Sequence, residues 1–285
     1  MSKMLRFVTL NLWGENGPWQ ERLELAGAGL GALGPDVVTL QEVRDVPGKV
    51  PNQAEALARR LGLEHVFAPS TAWGGGHEGL AVLSRFPIGV HEAKWLPHSA
   101  ENEGRIVLSA RLDGDAGGMW VHTTHLSFRE AEGVKREEQV QFIDEVVAAH
   151  KNDNIHVLAG DFNAVADSDE IRWLVGMTTL GGRRVAYQDA WDRMHAGAPG
   201  ITWARANPYV STLGWLRPDR RLDYVFVSPM RRDGRGRVRG CEIVLHEPQL
   251  APGRDAVYAS DHFGVMADVQ VIPDAPAAAA QAGKG

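Results

Sequence analysis

Short β-rich runs recur along this chain from end to end, and four of them stop on a polar residue that has no place in a hydrophobic core. The runs lie at 5–12, 37–41, 79–84, 105–112, 119–125, 155–159, 222–227 and 262–271, each bounded by Gly, Pro, Asn or Asp. Asn11 closes the first, Glu42 follows the second, His125 closes the fifth, and Asp161 with Asn163 follows the sixth. Two later runs reverse the placement, with Asp223 before 224–227 and Asp261-His262 before 263–266. If these ends meet at one edge of the fold, the last two strands run opposite to several of the first four. The sheets are then mixed or antiparallel.

Helical periodicity is clear in two stretches. Residues 19–33 carry Leu23, Ala26, Leu30 and Leu33, and residues 132–150 carry Val140, Ile143, Val146 and Val147, at helical spacing with charges opposite. Strands dominate both halves, so two packed sheets flanked by helices fit better than one parallel sheet wound on both faces. Hydrophobic residues at 44% and charged residues at 23% are enough for a large core. No linker divides the middle of the chain and no internal repeat is present, so residues 1–272 are expected to form one domain. Residues 273–285 are Ala, Pro, Gly and polar residues with nothing to bury, the composition of a disordered tail.

Thirty basic against thirty-six acidic side chains give a net charge of −6, which repels polyanions and anionic membranes at long range. A phosphate ligand therefore needs a local device. The lone Cys241 excludes an intramolecular disulfide and a Cys-x-x-Cys zinc site. No run approaches the ~18 apolar residues of a membrane span, and the N-terminus does not read as a signal peptide. A soluble cytoplasmic monomer without a membrane anchor is the expectation. One segment departs from the acidic balance: 217–239 holds eight arginines against three aspartates. It reads as a solvated turn between strands, or else as a phosphate contact.

Clustered carboxylates repel one another and raise each other's pKa, so the converging set Glu42, Asp161, Asp223 and Asp261 calls for a counter-charge. A hard divalent cation supplies it, since Mg²⁺ takes one or two protein carboxylates and fills its other positions with water and phosphate oxygens. Singly, each residue has a plainer reading. Asp161 and Asn163 favour turns, and Glu42 is an ordinary solvated strand end. It is the order of all of them that carries weight.

That order resembles the endonuclease/exonuclease/phosphatase superfamily. The resemblance rests on Thr9-Leu10-Asn11-Leu12-Trp13, Leu40-Gln41-Glu42-Val43, Gly79-Leu80-Ala81-Val82-Leu83-Ser84-Arg85-Phe86-Pro87-Ile88, Thr124-His125-Leu126, Gly160-Asp161-Phe162-Asn163, Leu222-Asp223-Tyr224-Val225 and Ser260-Asp261-His262. It implies an α/β fold, a four-layer sandwich of two central mixed sheets flanked by helices, with a Mg²⁺-dependent (or Mn²⁺-dependent) phosphoester hydrolase site at one edge. By the same resemblance Glu42 is the principal metal ligand, Asn11 stands beside the metal or the phosphate, and Asp261 is a further acid near the metal. Asp161 positions and deprotonates the attacking water, and Asn163 bonds a phosphoryl oxygen. His262, held by Asp223, acts as a base or a donor, and His125 donates to a non-bridging oxygen. Arg105, at the entry of its strand, is a candidate substrate-phosphate contact.

Several members carry a second acid or amide two residues after the first Asn, where this chain has Trp13, which argues against a second metal there. His122 and His125 sit three apart on one strand and so on opposite faces, which makes a two-histidine zinc site improbable. Gly74-Gly75-Gly76 lacks the Lys-Ser/Thr of a nucleotide P-loop and reads as a flexible loop. Trp13, Trp19, Trp73, Trp203 and Trp215 are lids on the core or base-stacking surfaces. The substrate is a nucleic acid or a small molecule: a phosphodiester first, a sugar or inositol phosphate monoester as the alternative. A noncatalytic nucleic-acid-binding module of the same fold is the rival from another class.

Overall fold

Alternation along the strands sets the layers. In this computed structural model the described residues are 3–99, 103–150, 154–210, 217–250, 253 and 255–271; the expected tail at 273–285 and Trp215 lie outside them. One six-stranded sheet has the order β11-β12-β1-β2-β4-β3, where β1 is Met4–Asn11, β2 Val37–Asp45, β3 Glu64–Trp73, β4 Gly76–Ser84, β11 Val238–Val244 and β12 Gly264–Gln270. The other has the order β5-β6-β7-β8-β10-β9, with β5 Ile88–Trp95, β6 Ile106–Leu112, β7 Met119–His125, β8 His156–Asp161, β9 Gln188–Asp189 and β10 Asp223–Val227. Parallel pairing joins β1 to β2 and β7 to β8, while β12 lies antiparallel to β1 and β10 antiparallel to β8. Both sheets are mixed, and the two late strands run opposite to their neighbours as the reversed polar ends require.

Side chains alternate across each strand. Leu5 and Phe7 of β1, Val121 of β7, Val157 and Ala159 of β8, and Val225 and Val227 of β10 form the core between the sheets. The other parity faces helices. Val8, Leu10, Val38 and Leu40 meet α1 (Trp19–Leu33) and α2 (Gln53–Leu61), and Leu158, Tyr224 and Phe226 meet α3 (Gly133–Ala149) and α4 (Asp169–Leu174). The result is the expected four-layer order of helices, sheet, sheet and helices. A helix of five residues, α5 (Ala190–Met194), follows β9.

The inward parity ends in polar residues. Phe7, Thr9 and Asn11 share a face of β1; Val121, Thr123 and His125 share one on β7; Val157, Ala159 and Asp161 share one on β8; and Asp223 shares its face with Val225 and Val227. The site is thus the mouth of the core between the sheets. The stretch 74–76, expected as a flexible loop, is instead a two-residue hairpin turn: Trp73 pairs with Gly76, and Gly74 and Gly75 adopt φ of +59° and +79°. Among the described residues no helix is long and apolar enough to cross a membrane.

Candidate active site

Glu42 lies on the wrong parity to reach the mouth, because its neighbours Leu40 and Val43 both face the helices. A β-bulge between Leu40 and Val43 corrects this, with Glu42 in the left-handed region at φ +52°. Such a backbone costs a non-glycine residue about 1–2 kcal/mol. Its carboxylate then meets Asn11, whose Nδ2 donates to Glu42 Oε1 at 3.0 Å and to Asp161 Oδ2 at 3.1 Å. The amide cannot flip, because Asn11 Oδ1 accepts the Trp13 N–H at 2.9 Å. Asn11, read from the sequence as a contact of metal or phosphate, therefore presents its N–H to the site and joins two acids.

Asp161 ends β8 beside His125 of β7 and Asp223 of β10, its register partners on either side. This pairing needs Gly160, which has φ +147° and whose Cβ, were there one, would stand 2.1 Å from the Thr124 carbonyl oxygen. Asp161 Oδ1 accepts the Asn163 N–H at 2.9 Å, while the Asn163 carboxamide donates to the Leu126 carbonyl at 3.1 Å. His262 is held by Asp223, with 2.8 Å between Nδ1 and Oδ2, and its Nε2 points back to Asp161 Oδ2 at 3.7 Å. The Thr202 hydroxyl accepts the N–H groups of Leu222 and Asp223 and anchors the start of β10. Asp261 accepts the Ser260 hydroxyl at 3.2 Å.

Electrostatics separates these groups. Burial penalises a charged His262, yet Asp223, Asp161 and Asp261 outweigh that and hold its pKa well above the ordinary histidine value. His125 moves the other way, well below that value, because it is buried and lies near Arg105 and His262. The two imidazoles are thus driven in opposite directions. Burial, opposed by His262 and reinforced by Asp223, raises Asp161 to about 7. Burial likewise raises Asp261 to about 6, with His262 opposing and Glu42 adding to the rise.

Glu42, Arg105, His125, Asp161, Asn163, Asp261 and His262 all line one cleft of about 750 Å³, while Asn11 and Asp223 stand behind its floor. Every residue singled out from the sequence for this site is at it. Trp13, Trp73 and Trp203 line its walls. Glu78 is an addition. It sits in the cleft, raised to about 7 by burial and by the charge of Glu42. Its signal was present, since it heads the buried run 79–84 just as Asp223 heads its own. Among the described residues, the ligand atoms of Asp161, Asp223 and His262 lie within 4.8 Å of one another. The Nδ1–Asp223 hydrogen bond already engages two members of that trio, while the carboxylates of Glu42 and Asp261 also line the cleft.

The profile of the Endonuclease/Exonuclease/phosphatase family matches residues 8–262. The chain is 31% identical over 169 residues to Protein angel of Drosophila melanogaster, a match that spans 55% of this chain and 47% of that relative. In fold it is similar to a humanized D. rerio TDP2 (TM-score 0.72, 20% identity, 94% of this chain and 99% of that one). It is also similar to the human Nocturnin catalytic domain with bound sulfate anion (TM-score 0.67, 20% identity, 94% of each chain). With that match over nearly its whole length, its two mixed sheets and the acid and imidazole ends gathered at one mouth, the chain belongs to the endonuclease/exonuclease/phosphatase family.

Proposed function

We propose that this protein hydrolyses phosphodiesters with the help of a divalent cation, Mg²⁺ or Mn²⁺. The observation that carries this reading is the Asp161–His262–Asp223 arrangement beside Glu42 and Asp261 in one cleft. The donor set suits a hard cation: it is carboxylate oxygen throughout, without thiolate, and burial together with the charge of Glu42 raises Asp261, a cost that a cation relieves. Glu42 and Asp261 would hold it, with Asn11 keeping Glu42 in place. When bound, the cation neutralises phosphate charge and polarises the phosphoryl oxygen.

The protein groups do the rest. Asp161, fixed by the Asn11 amide and the Asn163 N–H, orients the water that attacks phosphorus and takes its proton. A basicity near neutrality suits that task, because such an acceptor is partly ionised at neutral pH and still attracts the proton. Cationic His262 donates from Nε2 to a non-bridging oxygen as charge builds there, while Asp223 fixes its tautomer through Nδ1. His125 adds a second donor, and Arg105, whose Nε makes no hydrogen bond and has Glu103 as an ionic neighbour at 3.5 Å, pairs with the same phosphate.

The test is hydrolysis of bis-p-nitrophenyl phosphate and p-nitrophenyl phosphate with Mg²⁺, with Mn²⁺ and with EDTA. Diester cleavage that EDTA abolishes and Mg²⁺ or Mn²⁺ restores is expected. Turnover indifferent to excess EDTA overturns the metal assignment, and cleavage of the monoester alone favours a phosphatase.

A further inference from the structure

The arginine-rich segment is not one surface. The fold sends Arg221 to buried Asp189 at 2.9 Å, Arg235 to Asp233, Arg239 to Gln270 and Arg231 to the Asn154 carbonyl. Arg217 and Arg220 instead line the cleft.

Arg220 is set there rigidly. Its backbone N–H and carbonyl both pair with Trp203 at 2.9 Å, extending the lead-in to β10, and its guanidinium lies over the Trp203 indole with 4.7 Å to the ring centroid. The side chain is only 17% exposed, yet it makes no hydrogen bond among the described residues. Its ionic neighbour Glu130 stands 3.6 Å away, beyond hydrogen-bond length. Arg217 Nε meets the same oxygen of Glu130 at 2.7 Å. Two cations share one carboxylate oxygen, and that carboxylate is 59% exposed. Arg220 Nε is buried without a hydrogen-bond partner, and a buried donor left unused is costly to keep. Burial and Arg217 both lower the pKa of Arg220, while Glu130 and Asp161 oppose this, and both arginines line the same cleft as Asp161 and His262.

We infer that Arg217 and Arg220 form a subsite for a second phosphate of the substrate, next to the phosphoester that is cut; this deepens the phosphoesterase reading and rests on it. Guanidinium forks match phosphate oxygens in pairs, and the indole holds Arg220 in place before the ligand arrives. Glu130, at the rim, occupies the cations when the subsite is empty and competes with the phosphate. A nucleoside bisphosphate and a sugar bisphosphate share this chemistry.

The test uses ligands that cannot be hydrolysed, so it reads binding whether or not the protein turns over. Calorimetric titration with propane-1,3-bisphosphonate and with propylphosphonate, in Mg²⁺, is expected to show affinity at least tenfold higher for the first. Arg217→Gln with Arg220→Gln should bring that ratio to within twofold, and Glu130→Gln, a surface change that leaves the fold intact, should raise it about threefold. Displacement of the bisphosphonate by thymidine 3′,5′-bisphosphate or by fructose 1,6-bisphosphate tells which source fits and supports the subsite; displacement by neither overturns it. Equal affinities in the wild type, or a ratio untouched by both sets of variants, also overturn it. Failure of diester hydrolysis with the ratio intact would remove the activity and leave the subsite.

Discussion

Asn11 and Asp161 are 150 residues apart in the chain and belong to different sheets, and the Asn11 amide donates to the Asp161 carboxylate at 3.1 Å across the mouth between them. One step deeper, Gln41 Nε2 of the first sheet donates to Thr123 Oγ1 of the second at 3.0 Å. The floor of the cleft is therefore a polar seam stitched from both sheets, so the site is assembled only when the sheets pack. Buried polar bonds of this kind specify one register, because a slip leaves both partners unsatisfied.

Glu42 tests the strain at the bulge. Glu42→Gly is expected to lower turnover at least ~100-fold, since on the proposed mechanism the cation loses its main ligand. The same change should keep or raise folding stability by up to about 1 kcal/mol, because glycine accepts the left-handed backbone freely. Urea unfolding beside metal-titrated kinetics checks both halves, and a variant destabilised by several kcal/mol would refute the strain.

Replacing His262 by Ala, or Asp223 by Asn, should cost ~10²–10⁴ in kcat. Folding should survive, as judged by far-UV circular dichroism. The Asn variant keeps the shape but cannot stabilise the cationic imidazole, so its pH–rate profile should shift toward acid. Near-normal kcat in both would take away the role given to this pair.

Acid stability has a separate source. His122 is fully buried on the outward parity of β7, bonded to Ser109 at 2.8 Å and to His156 at 3.2 Å, and burial with the neighbouring His156 and His150 holds its pKa well below 6.5. It stays neutral in the folded protein while the unfolded chain takes a proton below pH 6.5, so its contribution is present above that pH and is lost as pH falls toward the folded value. Urea unfolding at pH 7.0, 6.0 and 5.0 should show His122→Asn losing stability less steeply than the wild type, by up to about 1.4 kcal/mol per pH unit. Parallel slopes would contradict this.

Gly160→Ala should destabilise the protein by more than ~3 kcal/mol, since a Cβ 2.1 Å from the Thr124 carbonyl forces β7 and β8 apart. Those strands carry His125 and Asp161, so activity should fall with the melting temperature. A variant with unchanged melting would show that the pairing tolerates a side chain there.

The strands legible in the sequence, β1, β2, β4, β6, β7, β8, β10 and β12, are the inner members of the two sheets. The missed ones, β3, β5, β9 and β11, are the four sheet edges. An inner strand is buried on both faces and must be apolar to be stable, whereas an edge strand such as β5, with Val90, His91 and Trp95 in water, follows no such rule. Helix α2 was missed because it is short, and its Asn52 cap, accepting from the Ala54 and Glu55 N–H groups, is a weak sequence signal.

By itself the sequence pointed to most of the residues that meet at the mouth, Glu78 excepted, because carboxylates, amides and imidazoles recur at the ends of its buried strands. Tertiary structure alone decided how they meet. Period-two alternation aims Glu42 at the helices, and only the bulge turns it into the cleft. His125 and His262 are the same residue type, and only burial near Arg105 on one side and three carboxylates around the other drive their pKa values in opposite directions. The arginine run was plain to see, but its division between core, surface and cleft depended on pairing partners far away in the chain, which no local pattern encodes.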